Sequence, residues 1–468
     1  MKQLLFIKDI QLLVKGLKFQ VIFVLMMILF ILSSISSAVA YKEMSNSYIR
    51  EINEHSDRLN DENSVRLNNL VGNMQLLKVI SKPTPAVLFS DYNAFPDIIS
   101  SGVVFHTPNF QKLSNENTNL FSLNWNFILG VLSSLFILIL SFDTISQEKR
   151  GGTLRLLSIY GFKRQTIIWS KFLSIFVLYL VITIPAALIS MIIFFSITGA
   201  WSVIYMLKFI LMLLISIPFV SFFIFIGIFI SLLKNHRIAI LQAVLVWLFF
   251  LIIIPQSSIL LGERISPVKT NMEYSKMREK AWNDEFNIWE NDYGRSVSGN
   301  EMLDDGLRAK AVYASDEKRN LITQLENNDS RKQTLVIRNI LNISPFSQLE
   351  NISEIVFDKG FYLFNHQLNE SKQTIILIRN LMIEQDSRDE NSLHLFYSWA
   401  RTDGRFRGKT PFSTQIFNNK ELLLITEFQT DDTLTKIIKI IFNLIPIIML
   451  NLLLIICSVL KIERLDIR

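Results

Sequence analysis

A phosphate-binding loop needs two glycines separated by four residues ahead of Lys and Ser or Thr, so that successive N–H groups surround the phosphates. Gly404-Arg405-Phe406-Arg407-Gly408-Lys409-Thr410 comes near that pattern and fails it, with three residues between its glycines and no strand before it. The histidines, His55, His106, His236, His366 and His394, are scattered, with no Cys or carboxylate at metal-ligand spacing. No Ser/His/Asp arrangement is legible, and the one cysteine, Cys457, sits in an apolar run where packing is its expected role. No apolar run holds a row of acids or bases that would mark an ion relay. The most polar residues in those runs, Gln242 and Asn451, are expected to hydrogen-bond a neighbouring helix. The chain is therefore expected to be no enzyme and to carry no catalytic, cofactor or metal site.

One segment keeps a mechanical kind of chemistry. Residues 143–171 read DTISQEKRGGTLRLLSIYGFKRQTIIWSK, basic and amphipathic, between two apolar runs. On a short helix Thr153, Leu156, Leu157 and Tyr160 share a face, with Arg155 and the Lys163-Arg164 pair around it. Pressed into a groove on a soluble partner, such a helix passes a rigid displacement into the flanking spans. The plainer alternative is a basic loop that fixes topology and binds anionic lipid.

The elements that must hold this segment are membrane helices. Half of the 468 residues are hydrophobic, 36 of them Phe. The apolar residues gather in runs at 19–40, 122–142, 172–198, 205–233, 238–261 and 437–460. Each is long enough to cross a hydrocarbon core about 30 Å thick. The N-terminus, residues 143–171, the Lys234–Arg237 link and the C-terminus together hold 15 basic and 5 acidic residues. The long segments 41–121 and 262–435 hold 29 basic and 36 acidic residues. The positive-inside rule then puts both termini in the cytoplasm and the long segments outside. The basic isoelectric point follows from this layout and implies no nucleic acid.

In residues 1–18, Phe6, Ile10, Leu13 and Leu17 fall on one helical face, away from Lys8, Lys15 and Lys18, as in a helix lying in the membrane interface. Ala38-Val39-Ala40 resembles a signal-peptide cleavage site, but the apolar run before it is long for one, and an uncleaved helix is the preferred reading. The expected order is an interfacial helix (1–18), span one (19–40), outer segment one (41–121), span two (122–142) and an inner loop (143–171). Spans three to five (172–261), outer segment two (262–435), span six (436–460) and a tail (461–468) follow.

The outer segments are expected to form one domain, mainly helical with a small sheet. Ile49, Ile52, Leu59 and Leu67 leave a narrow apolar seam, and Leu303, Leu307, Ala311, Ala314, Leu321 and Leu325 recur at helical spacing. Ser344-Pro345 reads as a helix start. Pro83 and Pro85 forbid helix in an extended stretch, which is paired here with residues of about 412–428; Asn418-Asn419 marks a reversal. Pro185, Pro218, Pro255 and Pro446 lie inside apolar runs as fixed kinks, since neighbours re-satisfy the freed carbonyls in a membrane.

Glu148-Lys149-Arg150, Gly152-Thr153-Leu154, Lys163-Arg164 and Lys171 together resemble the coupling region of ABC-2-type permeases, the membrane subunits of ATP-binding-cassette transporters. In that family an acidic-basic pair ends span two, a Gly-Thr-Leu helix follows, and a Lys opens span three. KPTPAVLFSDYNAF and ISPFSQLENI look like a subgroup with a large outer domain, related to permeases of gliding-motility and respiratory-enzyme maturation systems. The resemblance implies an all-α polytopic protein of a bacterial cytoplasmic membrane, with an α+β outer domain. It implies ATPase contact by Glu148, Arg150, Gly152, Thr153, Leu154, Arg155, Leu156, Leu157, Tyr160, Lys163, Arg164 and Lys171. It implies a homodimer or a pair with a related permease, two cytoplasmic ATPase subunits carrying ATP and Mg, and contact with membrane lipid. A lipid, lipoprotein or other amphipathic cargo fits better than an ion or sugar, and an outer protein partner is open. The rival reading is a mechanotransmitter that works an outer partner while nothing crosses the membrane; a membrane enzyme ranks last.

Overall fold

The computed structural model describes residues 2–463 apart from 74, 91, 93–94, 105–107, 114–122, 233–235, 294–300, 397–408 and 426–430. Gly404–Gly408, His106, Lys234 and the charged residues of 464–468 lie outside the described residues.

The chain opens with α1 (Lys2–Lys15), which stops where Gly16 turns extended. Then comes α2 (Leu17–Asn60), a single helix of 44 residues. At 1.5 Å per residue it is about 65 Å long, twice what a bilayer core requires. Its first half is apolar and its second half is charged. A short α3 (Leu67–Val71) and three strands follow, β1 (Leu77–Ile80), β2 (Ile98–Ser101) and β3 (Asn109–Gln111).

The second span comprises α4 (Trp125–Phe127), a π turn (Ile128–Leu132) and α5 (Ser133–Ser141), and continues into α6 (Thr144–Arg150). After α7 (Thr153–Ile159) come α8 (Arg164–Thr198) and α9 (Val203–Ser231). The fifth span is α10 (His236–Leu248), a second π turn (Phe249–Ile253) and α11 (Ile254–Ile265). The charged helices α12 (Asn271–Tyr293) and α13 (Glu301–Leu341) lead to α14 (Pro345–Phe357) and α15 (Gly360–Ser387). The two-residue β4 (Leu424–Ile425) precedes the last span, α16 (Thr433–Glu463).

Six of these helical stretches are long and apolar enough to cross a membrane, as the hydropathy runs predict. Their exposed faces carry Leu, Ile, Val and Phe, for example Val203, Leu207, Phe442 and Leu453, while Phe30, Trp125, Phe209 and Phe223 fill the inside. In water that outside would be a large apolar patch; in lipid it is a matched solvent. Packing is tight at Gly227, where an added Cβ would stand 1.7 Å from Ser141 Oγ and 2.6 Å from its Cβ, so the backbone of α9 lies directly against Ser141 of α5. Asn451 donates to the Pro218 carbonyl at 2.9 Å across α16 and α9, the helix-to-helix hydrogen bond expected of it.

The remaining segments form a polar domain on one end of the bundle. Its sheet has the order β3-β2-β1-β4, β1 antiparallel to β2 and parallel to β4, with Lys78 opposite Leu424. The predicted joining of the Pro-rich stretch to residues near 424 is therefore present, but shorter than expected. Residues 420–423 form a 3₁₀ turn rather than a strand. Pro85 also departs from expectation, opening a 3₁₀ turn (Pro85–Leu88) in which its missing N–H costs nothing. Pro345 does open α14, preceded by extended Ser344.

The face expected of α13 holds at Ala311, which is buried, and is corrected further along; the side chains of Leu303 and Leu307 lie outside the described residues. Leu321 and Leu325 are exposed, and Val312, Ser315, Asp316 and Thr323 are buried. The reason is polar pairing: Arg379 meets Asp316 at 3.2 Å, Arg278 meets Glu326, and Tyr274 donates to Asp329 at 2.9 Å. Likewise Ile49 is exposed and Leu67 lies beyond the end of α2, on α3.

Candidate functional site at the basic end of the bundle

At the end opposite the polar domain, α1, α6, α7, the start of α8 and the end of α16 come together. Between α6 and α7 the chain turns at Gly151-Gly152, and Gly152 has φ +70, a left-handed conformation that other L-residues adopt only at a cost. The result is a helix–turn–helix unit under the bundle rather than one helix in a loop. Ser231, closing α9, accepts the N–H groups of Ile145 and Ser146 at 2.7 and 3.1 Å. Two otherwise orphaned first-turn donors of α6 are thereby satisfied by a neighbouring span.

The central contact is a buried charge cluster. Lys171 Nζ lies 2.6 Å from Asp9 Oδ1 and 2.6 Å from Glu148 Oε1. Ser170 donates to the other Asp9 oxygen at 2.8 Å. Lys171 is 5 % exposed and Asp9 2 %, so charges that would cost several kcal/mol each when buried alone offset one another. Thr153 Oγ1 donates to the Glu148 carbonyl at 3.1 Å and closes the turn between α6 and α7. Around the rim, Lys18 pairs with Asp143 at 2.7 Å and Arg164 donates to the Ile462 carbonyl at 3.1 Å. Gln165 donates to Glu463 at 3.0 Å.

Several expectations change in detail. Lys171 stands within the second turn of α8, which begins at Arg164, and not at the mouth of the span. Leu154 is buried under α7 and Leu157 packs against the same core, so Leu157 is not part of an open face. The exposed side of α7 and the turn after it is instead Arg155, Leu156, Ile159 and Tyr160, the last three 54 %, 71 % and 69 % exposed. Ile159 is not singled out by the sequence because Leu157, on the other side of the helix, completes an equally good arc with Thr153, Leu156 and Tyr160. Glu148 and Lys171 are brought together; Arg150, Lys163 and Arg164 lie at the rim.

Asp9 was missed altogether. Its signal was present: a lone acid among the lysines of an amphipathic helix, at the edge of the face carrying Ile10 and Leu13. That face turns so that Leu5 and Asp9 are buried, and Leu17, past the break at Gly16, is 76 % exposed.

Elsewhere, Asp386 accepts from Ser392 Oγ at 2.6 Å and from the Ser413 N–H at 2.7 Å, and contacts His394 Nδ1 at 3.0 Å. Because both serines are spent on carboxylates, Ser413 on Asp389 at 2.6 Å, this Ser/His/Asp grouping braces a loop and presents no nucleophile. No group of three metal-ligating side chains occurs among the described residues.

Six membrane-length helices, with a short paired-helix unit anchored under them by buried charges, define a polytopic membrane protein. The chain belongs to the ABC-2 family of transporter proteins, whose sequence model matches residues 3–291. That stretch takes in α1, five spans, and the unit of α6 and α7. Members of the family are generally non-enzymatic membrane components that work with ATPase subunits. No curated protein and no solved structure matches the chain.

Proposed function

We propose that this chain is the permease subunit of an ATP-driven ABC transporter in a bacterial cytoplasmic membrane, with α6 and α7 as its coupling unit and both termini in the cytoplasm. The observation that carries the reading is the exposed apolar side of α7 mounted on a rigid, ion-paired base. Leu156, Ile159 and Tyr160 offer a soluble ATPase a greasy contact ringed by Arg155 and Arg150, while Asp9, Glu148 and Lys171 tie that contact to α1 and α8. A displacement applied at Tyr160 reaches spans two and three without slack. Two permeases, alike or related, would hold two ATPase subunits, which supply ATP and Mg. The polar domain would then lie outside, and the chain would belong to the subgroup with a large outer domain.

A lipid, lipoprotein or other amphipathic cargo is favoured by a cavity of about 430 Å³ where the spans meet the polar domain. Tyr41, Trp201, Tyr205 and Phe357 supply apolar walls, and Lys82, Asp358 and Lys359 supply charge. Co-purification tests the coupling assignment. Leu156→Asp with Tyr160→Asp, both on exposed positions, should abolish recovery of the ATPase while leaving membrane insertion intact. Recovery at wild-type yield sinks the assignment.

The mechanotransmission reading keeps one specific observation in its favour. The single helix α2 runs from the bundle into the polar domain, where Lys78 pairs with Glu51 and His55 Nε2 lies 3.0 Å from the Leu423 carbonyl. In reconstituted vesicles with the ATPase, ATP-dependent movement of labelled lipid favours transport. Stimulation of hydrolysis by an outer protein, without flux, favours transmission.

A further inference from the structure

The polar domain carries a cleft that the preceding reading does not use. It consists of two cavities, of about 340 and 420 Å³, between α13 and α15. Pro108, Thr323 and Arg331 line both, so the two form one continuous groove. Its two ends differ in chemistry.

The end nearer the membrane spans is aromatic. Phe95 lies 5.8 Å from Phe361 and 5.6 Å from Phe364 between ring centres, and Phe110 lies 5.6 Å from Phe364. The Nδ2 group of Asn327 is buried at this end without a hydrogen-bond partner among the described residues. Glu326, the acid on this wall, is already paired with Arg278.

The far end is cationic and amide-rich. Lys372 lines it together with Gln324, Asn328 and Asn369, Arg331 stands where it joins the aromatic end, and no carboxylate is among the described residues that line it. Neither Arg331 nor Lys372 has a hydrogen bond or ion pair among the described residues, while Arg278, Arg338 and Arg379 in the same domain all do. Burial first, and then the neighbouring Arg331, hold the pKa of the Lys372 ammonium below its ordinary value. Two unpaired cations are unexpected here, since the sequence of this domain is acidic in balance.

From Phe361 to Lys372 is eleven residues of α15, or about 16 Å along the axis. The groove therefore runs from an aromatic floor beside the spans to a charged, hydrogen-bonding recess about 16 Å further out. We propose that this groove binds an anionic phospholipid, its phosphate between Arg331 and Lys372 and the first part of its acyl chains over Phe95, Phe361 and Phe364. The inference rests on the amphipathic-cargo reading above and names its chemical class. A lipid leaving the bilayer headgroup first would meet the groove with its polarity already matched.

The full chain, purified without an ATPase, would be titrated by calorimetry with dihexanoyl phosphatidylglycerol, dihexanoyl phosphatidylcholine and inorganic phosphate. The anionic lipid is expected to bind at least about tenfold more tightly than either comparator. Arg331→Gln with Lys372→Gln should erase that preference, Arg331→Lys with Lys372→Arg should keep it, and Lys276→Gln on the exposed side of α12 should leave it unchanged. Unaltered thermal unfolding checks the fold of each variant. Equal binding of both lipids, or an undiminished preference in the double Gln variant, overturns the proposal. Phosphate binding as tight as the lipid overturns it too, since the aromatic floor would then contribute nothing. Because no ATPase is present, these outcomes are independent of the docking test, and either reading can fail alone.

Discussion

Lys171 holds two carboxylates in place, and its removal has a different consequence from removal of the whole cluster. Lys171→Ala leaves Asp9 and Glu148 facing one another inside protein, with no counter-charge for either. Breaking a buried pair in this way costs about 3–5 kcal/mol, whereas replacing all the charges with apolar or neutral groups of similar size is often near neutral. Lys171→Ala should therefore lower the unfolding temperature in detergent substantially, and Lys171→Met with Asp9→Asn and Glu148→Gln should restore most of it. If the triple variant is as unstable as the single one, the cluster does not act as a balanced unit. A second residue gives a pH signature. Burial pushes the Glu354 carboxyl up to about 7 even though Arg338 contacts it. Between about 4.5 and 7 the folded chain holds a proton there that the unfolded chain has released, so this group makes stability fall as pH rises through that window. At 1.36 kcal/mol per unit the loss is roughly 3 kcal/mol, and Glu354→Gln should flatten the pH profile of unfolding.

At the scale of elements, glycines separate contact from conformation. At Gly227 the crossing of α5 and α9 has no room for a Cβ, while at Gly152 space is open but φ is positive. Gly227→Ala should cost at least the ~1–3 kcal/mol typical of overpacking, because backbone must move. Gly152→Ala should cost about 1–2 kcal/mol, from strain alone, and should tilt α7 away from its base. Thermal unfolding of the two variants checks the order, and the reverse ranking would show that the span contact yields easily. The same distinction explains what the sequence made legible. The six spans, the start of α14 at Pro345 and the joining of Asn451 to another helix are local or compositional, and one pattern of apolar residues suffices for each. The side of α7 that stays open is a tertiary outcome, since Leu157 and Ile159 are equally apolar and only the bundle above decides which is covered. Asp9 reads locally as one charge on an amphipathic helix; its partner lies 162 residues away. The meeting of Arg331 and Lys372, without an ion pair among the described residues, is likewise invisible until α13 and α15 are set side by side.

For the whole molecule, the arrangement joins three bodies, and the spans share one buried core with Phe89 and with Leu349, Ile352 and Phe357 of α14. The helix pair at the basic end is tied to α1 and α8, the spans pack around Phe-rich crossings, and the polar domain is continuous with the bundle through α2. A helix of 44 residues with no break transmits rotation and tilt as a rod, provided that its middle stays helical. Between Tyr41 and Tyr48 the rod leaves the apolar core and carries Lys42, Glu43, Ser45, Asn46 and Ser47, none of them buried. Inserting Gly-Gly after Glu43 would place two residues of poor helix propensity there, each costing about 1 kcal/mol, and would rotate the distal half by more than half a turn. If α2 carries motion, the variant should still co-purify with the ATPase through α7, yet ATP should no longer change hydrogen exchange in β1, β2 and α15. Preserved ATP-dependent exchange changes in the polar domain would assign the coupling to its other links with the bundle, α11 packed on α13 and α14 packed on α9 and α16. Loss of the ATPase itself would mean that the two ends of the molecule are linked too tightly for α2 to act as a separable lever.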